Sequence, residues 1–501
     1  MSLKLTHQVA QIDNIQENTH VIGVFQGDGK KSDAICSIKD YSALLKNLSD
    51  ADVFKGKKDS TYFLRSFSKD SPSILFIGLG KAAAISGESL RIAGAHIAKR
   101  LESEKVKEAA LVLSSFQTRG MKKSLQSAKV ALSLGEGALF SHYAFDLYKS
   151  EKNKPNLTKL SFVLSDKKSA NAVAKMLDQA HATNDAVKIA RDLSNEPGST
   201  LTPVELAKRT QALAKEYKVN CKILDVKALE KEKMGALLGV GQGSVNPPCL
   251  IVLEYKPAKA KKIIALVGKA VTFDSGGISL KPGANMEDMK HDMSGGADVI
   301  AATLLAAKLR SPHHIVCIVA AAENMPDGNA MIPSTVLKTR NGKTIEVQNT
   351  DAEGRLILSD ALDYAQDYNP HAIIDVATLT GAVVMALSHV AAGIMGNDPA
   401  LLKKFREAAE ETEERYVELP IFPEYIDDIK SKIADIKNIG SSGAGSQKAG
   451  AFLKEFIKNN NKWLHIDIAG TAWSAGNVAY NPKHGATGHT VRTLTQLAMD
   501  Y

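Results

Sequence analysis

Between residues 250 and 468, short unbroken apolar runs alternate with helical stretches, and few architectures absorb that pattern. The runs are Leu250–Glu254, Ile263–Val267, Ile315–Ala320, Ala372–Val376, Val390–Ile394 and Leu464–Ile468. The helical stretches lie near Val204–Lys215, Ala297–Leu309, Leu356–Asp367, Leu401–Glu414, Ala449–Asn459 and Val491–Met499. A strand that is apolar on both sides must be covered on both faces, so the spacing predicts a central, largely parallel or mixed sheet clad in helices. The N-terminal part alternates as well, with strands expected at Val21–Phe25, Ile74–Ile77, Ala110–Leu113 and Leu160–Leu164 and helices at Ser89–Lys105 and Ser124–Leu134. A chain of 501 residues exceeds one core. The expectation is therefore an α/β protein of two domains: a smaller N-terminal α/β domain of three layers (1–168) and a larger C-terminal α/β domain with a central mixed sheet (195–501). A linker helix (169–194) joins them, read from the breaker-free stretch Ser169–Leu193. Asn195-Glu196-Pro197-Gly198-Ser199 stops that helix and Thr202-Pro203 opens the next.

Two segments carry chemistry. Asn349-Thr350-Asp351-Ala352-Glu353-Gly354-Arg355-Leu356 places two carboxylates and a guanidinium within five residues. In an extended segment Asp351 and Glu353 point the same way. Two acids aimed at one point repel unless a proton or a metal sits between them. The second segment runs from Lys269 through Asp274-Ser275-Gly276-Gly277 to Lys281-Pro282, and on through Lys290-His291-Asp292-Met293. If Ile263–Val267 is a buried strand, Lys269 and Asp274 lie at or just past its carboxyl end, where open α/β sheets place their sites. Asp274, Asp292, Asp351 and Glu353 together suit two divalent metals about 3.5–4 Å apart. Asp351-x-Glu353-x-Arg355 by itself reads as a surface salt-bridge cluster; the metal-site reading comes from its company with Lys269, Asp274, Lys281 and Asp292.

Lys-x4-Asp-Ser-Gly-Gly-x3-Lys-Pro, then Lys-x-Asp-Met, then Asn-Thr-Asp-Ala-Glu-Gly-Arg-Leu resembles the leucyl aminopeptidases, the cytosol aminopeptidase family. The octapeptide is that family's signature. The likeness runs from near Asn195 to the C-terminus and includes Trp463-Leu464-His465-Ile466-Asp467-Ile468-Ala469-Gly470 and Gly485-Ala486-Thr487-Gly488. The N-terminal part is similar only loosely, through Phe76-Ile77-Gly78-Leu79-Gly80-Lys81, and on this likeness is expected to be macro-like.

The resemblance implies a dinuclear zinc aminopeptidase that releases N-terminal residues, Leu and other apolar ones by preference. A tighter zinc would be held by Lys269, Asp274, Asp292 and Glu353. A more exchangeable site, open to Mn, Mg or Co, would use Asp274, Asp351 and Glu353. A lysine amine can ligate only when neutral, which burial beside two cations favours. Lys281 would polarise the scissile carbonyl, a donor typically worth about 2.7–4 kcal/mol of barrier. Arg355 would hold a bicarbonate as general base. Met289, Thr378, Gly381 and Ala469 would line the pocket for the first side chain, with Asn349 also expected at the substrate; such a pocket discriminates weakly, about 1–3 kcal/mol per methylene. The resemblance also implies a homo-hexamer with interior active sites that admit short peptides with a free N-terminus. Where the family usually has Gly, Pro-Gly-Asp and small residues, this chain has Ala270, Pro333-Ser334-Thr335 and Gln447-Lys448; none is an expected ligand.

Charge is unevenly placed. Residues 1–190 carry 28 Lys and Arg against 19 Asp and Glu, whereas 191–501 carry 35 against 36. A basic module beside a neutral one can present a nucleic-acid surface, and some bacterial relatives bind DNA, so a DNA-binding accessory or regulatory role through the N-terminal domain is the alternative function. The opening Met-Ser-Leu-Lys-Leu-Thr-His-Gln has no signal-peptide core, and no apolar run reaches the ~18 residues of a membrane span; residues 381–396 come closest. Cys36, Cys221, Cys249 and Cys317 lack metal or disulfide spacing and read as buried reduced thiols, in keeping with a cytoplasmic protein without membrane attachment. Gly78-Leu79-Gly80-Lys81 lacks the third glycine and the acid of a dinucleotide fingerprint and reads as a tight turn. Gly239-Val240-Gly241-Gln242-Gly243 lacks a P-loop ending and reads as a shaped loop. His313-His314 is expected to be structural or exposed, His465 and Asp467 to serve the core or an interface, and Arg492 to pair locally.

Overall fold

The computed structural model describes residues 3–27, 41–66, 68, 71–117, 126–458, 461–475 and 478–501. Two compact units emerge: Met1–Asp185 with Gly476–Pro482, and Ala186–Ala475 with Lys483–Tyr501. The helix Ala170–Asn195 is continuous across the division between Asp185 and Ala186.

In the first unit six strands, β1 (Lys4–Val9), β2 (Thr19–Phe25), β3 (Thr61–Leu64), β4 (Ser73–Gly80), β5 (Glu108–Val112) and β6 (Lys159–Leu164), form one sheet in the order β1-β6-β5-β2-β4-β3. Only β3 runs antiparallel to its neighbour. All seven residues of β2 are buried, and they alternate between two cores. Val21 and Phe25 join the core formed with the helices Gly87–Ser103 and Ser127–Ser141; Ile22 and Val24 join the core that includes Leu45 of the helix Ser42–Asp50. That two-sided burial makes three layers. Strand β1 escapes an apolar-run reading because it lies at a sheet edge and is half-polar; β3, at the other edge, is only four residues long, with Phe63 against one core and Tyr62 and Leu64 against the other. The helix expected from Ser124 begins at Ser127, and Ser124 and Cys36 lie outside the described residues.

The second unit is built on an eight-stranded mixed sheet, ordered β15-β14-β17-β13-β9-β10-β8-β7. Its strands are β7 (Asn220–Leu224), β8 (Cys249–Tyr255), β9 (Ile263–Asp274), β10 (His314–Asn324), β13 (Ala372–Ala377), β14 (Ala392–Gly396), β15 (Tyr416–Glu418) and β17 (Trp463–Asp467); β11 (Val336–Lys338), β12 (Thr344–Glu346) and β16 (Ile436–Lys437) form a small second sheet. The central strands outrun their apolar stretches. Strand β9 continues to Asp274 because β10 pairs with it in parallel as far as Asn324, with one register shift after Ala322. Lys269 therefore lies inside the strand, and Asp274 ends it. Val390, expected in a strand, is exposed in the loop after the helix Gly381–Leu387; the strand starts at Ala392. Gly239 and Gly241, expected in a loop, lie in the helix Gly235–Gly241. The helix Gly445–Lys454 ends before Asn459, which lies outside the described residues. Thr202 caps the helix Pro203–Tyr217 through Glu205 N, with Pro203 in the first turn. No helix among the described residues is long and apolar enough to cross a membrane. Burial pushes the Cys249 and Cys317 thiols up to about 12.

Candidate active site

The carboxyl ends of β9 and β10 carry the first part of the site. Asp274 Oδ1 accepts from Gly276 N (2.9 Å) and from Asn324 Nδ2 (2.9 Å). With one oxygen fixed, the other faces Lys281 Nζ at 2.8 Å. Gly276 turns the chain back at φ +86, a left-handed conformation that glycine takes without strain, and Lys281 N closes that loop onto Ser275 O.

The signature octapeptide is not extended as its spacing suggested. Asp351 stands in a turn and Glu353 has helical backbone at the start of the helix Gly354–Ala365. The two acids converge all the same: one carboxylate oxygen each of Asp274, Asp351 and Glu353 lie within 4.8 Å of one another. Thr350 ties the segments together by donating to Gly276 O (2.6 Å) and accepting from Ser279 N (2.8 Å). Lys269 rises from β9 beneath the helix start. Its Nζ lies 2.8 and 2.7 Å from the two Asp292 oxygens and 2.9 Å from Glu353 Oε1, and it donates to Thr378 O at 3.0 Å. A Cβ on Gly354 would stand 2.6 Å from Lys269 Cε, so the residue after Glu353 must be glycine for the lysine to pass.

Four carboxylates face two ammonium groups, leaving negative charge in excess. Burial, with Asp274 nearby, raises the Glu353 and Asp351 carboxyls above their ordinary range, and burial raises Asp292 further. Burial works against the charge on Lys269, but Asp292, Glu353 and Asp274 outweigh it and hold this ammonium above its usual range; Lys281 is held likewise by Asp274 and Glu353. Glu353 Oε2 is buried without a hydrogen-bond partner among the described residues. An all-carboxylate set with one amine, net negative and with an unpartnered oxygen, fits divalent cations. The lysines differ in access: the Lys269 side chain is 3% exposed and that of Lys281 22%.

Arg355, the second residue of its helix, is also buried. Burial pulls its guanidinium down to about 10 against the attraction of Glu353 and Asp467, so it stays charged at neutral pH. Nη1 donates to Asn438 O (2.7 Å), and Nε has no partner among the described residues.

Of the residues expected at substrate, Gly381 opens onto free space and Met289 is half-buried in the short helix Met286–His291. Thr378 adjoins the acidic cluster, its hydroxyl donating to Asp292 Oδ1 (2.8 Å) while its carbonyl receives Lys269. The Asn349 side-chain oxygen is engaged by Asp351 N (2.9 Å). Sequence reasoning missed Asn324 and Asn438, which hold the loops. Asn324 was detectable only as the polar residue ending the long buried run of β10. Arg492 pairs with Glu414 Oε1 (3.4 Å), and His465 and Asp467 are fully buried. Among the departures, the Ala270 methyl is accommodated against Gly296, Ser334 holds φ +77 where glycine would be unstrained, and Lys448 is tied to Asp428 at 2.6 Å.

Known proteins resemble this chain along most of its length. Residues 188–495 match the catalytic domain and residues 21–152 the N-terminal domain of the cytosol aminopeptidase family. A probable cytosol aminopeptidase of Geobacter sp. is 41% identical, covering 95% of each chain, and one of Azotobacter vinelandii is 40% identical, covering 96% of each. A mutant tomato leucine aminopeptidase superposes with TM-score 0.89 at 31% identity, covering 100% of this chain and 97% of that one. The bottromycin maturation enzyme BotP in complex with Mn gives 0.85 at 30% identity, covering 96% and 99%. By its matches along most of its length, this chain belongs to the cytosol aminopeptidase family and is an aminopeptidase.

Proposed function

We propose that this aminopeptidase is a dinuclear metalloenzyme that removes N-terminal residues, Leu and other apolar ones first, from short peptides. The supporting observation is the convergence of Asp274, Asp351 and Glu353 beside two lysines that leave their charge unbalanced. Lys269, Asp274, Asp292 and Glu353 would hold the tighter ion, zinc by family likeness. Asp274, Asp351 and Glu353 would hold the exchangeable one, Zn, Mn, Mg or Co; a structural neighbour is described in complex with Mn. Bound there, dications supply a water ionised near neutral pH and a Lewis acid for the scissile carbonyl.

The chain's own residues do the rest. Lys269 would release its proton to solvent to serve as a neutral ligand, a change favoured by burial once cations neutralise its neighbouring acids. Lys281, more open to solvent, keeps its proton and donates to the oxygen that gains charge. Arg355 is a fixed cation with an unpartnered Nε–H, suited to a planar anion; bicarbonate there would serve as general base. Thr378 and Asn324 keep Asp292 and Asp274 aimed inward.

The test combines metal analysis of the purified protein with a panel of aminoacyl amides. The expected result is two ions per subunit, inactivation by chelator, cleavage of leucine amide and no cleavage of a phosphate ester. A chelator-resistant, fully active enzyme would refute the reading. Light scattering checks the expected hexamer, and the relatives' common name extends the reading to a cytosolic enzyme. A second reading rests on the positive excess of residues 1–190: DNA binding, which the absence of a gel shift below micromolar protein at physiological salt would remove.

A further inference from the structure

We infer that Asn438 is a positioning residue, fully buried, whose side chain holds the Asp351 loop and whose main-chain carbonyl holds Arg355. The inference rests on the proposed role of Asp351 as ligand of the exchangeable ion. Asn438 follows β16 in the small second sheet, and its own N–H, donating to Glu346 O (3.0 Å), continues the pairing of β16 with β12. Its side-chain amide is then spent on one segment. Oδ1 accepts from Gln348 N (2.8 Å) and Asn349 N (3.3 Å), and Nδ2 donates to Asn349 O (2.6 Å) and Ala352 O (3.3 Å). The main-chain carbonyl receives Arg355 Nη1 at 2.7 Å.

These contacts match what the segment lacks. Residues 348–353 belong to no strand or helix, so their main-chain polar groups need partners from elsewhere. Asp351 is tethered within the loop only by its N–H to Asn349 Oδ1, and its carboxylate is drawn toward Lys281. A planar amide offers an acceptor oxygen and two donors in one fork, which fits two N–H groups on one side and two carbonyls on the other. Aspartate has the same shape but would turn an anionic oxygen on both carbonyls, and alanine offers neither function. Because the Arg355 contact runs through the main chain, side-chain substitution separates the hold on the Asp351 loop from the hold on Arg355.

Wild type, Asn438→Ala and the isosteric Asn438→Asp would be stripped of metal, reloaded with zinc and titrated with Mn(II). Bound ions per subunit, melting temperature, and kcat and KM for leucine amide would be read. Each variant is expected to keep one tightly held ion while the midpoint for the second rises at least about tenfold. Turnover should return to within about threefold of wild type at saturating Mn(II), because the Arg355 contact is retained. Uptake of the second ion at the wild-type midpoint overturns the inference. So does loss of both ions together with a lowered melting temperature in both variants, which would make Asn438 a folding residue. A wild type that never takes up two ions overturns the dinuclear reading itself, and the inference with it.

Discussion

Arg91 in the first unit and Lys269 in the second are buried almost equally, at 2% and 3% exposure, and acids hold both charged, yet the two clusters differ in what they leave unpartnered. Arg91 Nε meets Glu136 Oε2 at 2.9 Å and Nη1 pairs with Glu88, whose other oxygen accepts from the Tyr480 hydroxyl at 2.7 Å. Glu136 and Glu88 outweigh the effect of burial and hold the guanidinium firmly charged. Lys269 faces three acids, with a second lysine serving Asp274 and Asp351, and still leaves Glu353 Oε2 bare. A buried cluster whose polar atoms are satisfied among themselves serves the fold; one that keeps a bare carboxylate oxygen is poised to bind cations.

Changes at either cluster test that contrast. The largest effect is expected at Glu353: Glu353→Ala should cost at least about three orders of magnitude in kcat/KM and lower metal content in the same preparation. Retained metal with lost activity would break the assignment of Glu353 as a shared ligand. Lys281→Ala should leave metal content unchanged and lower kcat by about 10²–10³-fold, as for loss of one oxyanion donor. Normal turnover in that variant would refute the role of Lys281.

In the first unit the expected effect is on stability alone. Arg91→Met leaves Glu136 and Glu88 without their cation and should cost about 3–5 kcal/mol in denaturant unfolding, with turnover per folded molecule unchanged. A loss of turnover would mean that the closed cluster also serves catalysis.

The smallest effect concerns Asp298, buried in the helix Ser294–Lys308 with Oδ2 unpartnered. Burial, then Glu414, pushes its carboxyl well above the ordinary range. The folded protein keeps this proton where the unfolded chain, near pH 4, has already released it. Stability is therefore full below the unfolded value and falls as pH rises toward the folded one. Asp298→Asn should flatten that decline, so the difference in melting temperature grows in the variant's favour from pH 5 to 8. A constant difference would show that Asp298 is ionised in the folded state.

Much of this was legible in the order of residues. Buried strands such as β9 and β13 announce themselves because two covered faces demand continuous apolar side chains, and Lys269, Asp274, Asp292, Asp351 and Glu353 stand out because their types and spacing resemble one family. Chain order alone could not say how Asp351 and Glu353 meet. Alternation predicted an extended segment, whereas a turn followed by a helix start brings them together, since Asn438 satisfies the loop's main chain from a distant segment and Thr350 ties the loop to Gly276. Nor could it show that β9 runs on through Lys269 to Asp274, because that extension depends on pairing with β10 fifty residues away. Local pattern determines which side chains seek burial; which polar groups find partners there, and which are left open for a ligand, is decided by tertiary contacts, because hydrogen bonds and charges are matched in space and not along the chain.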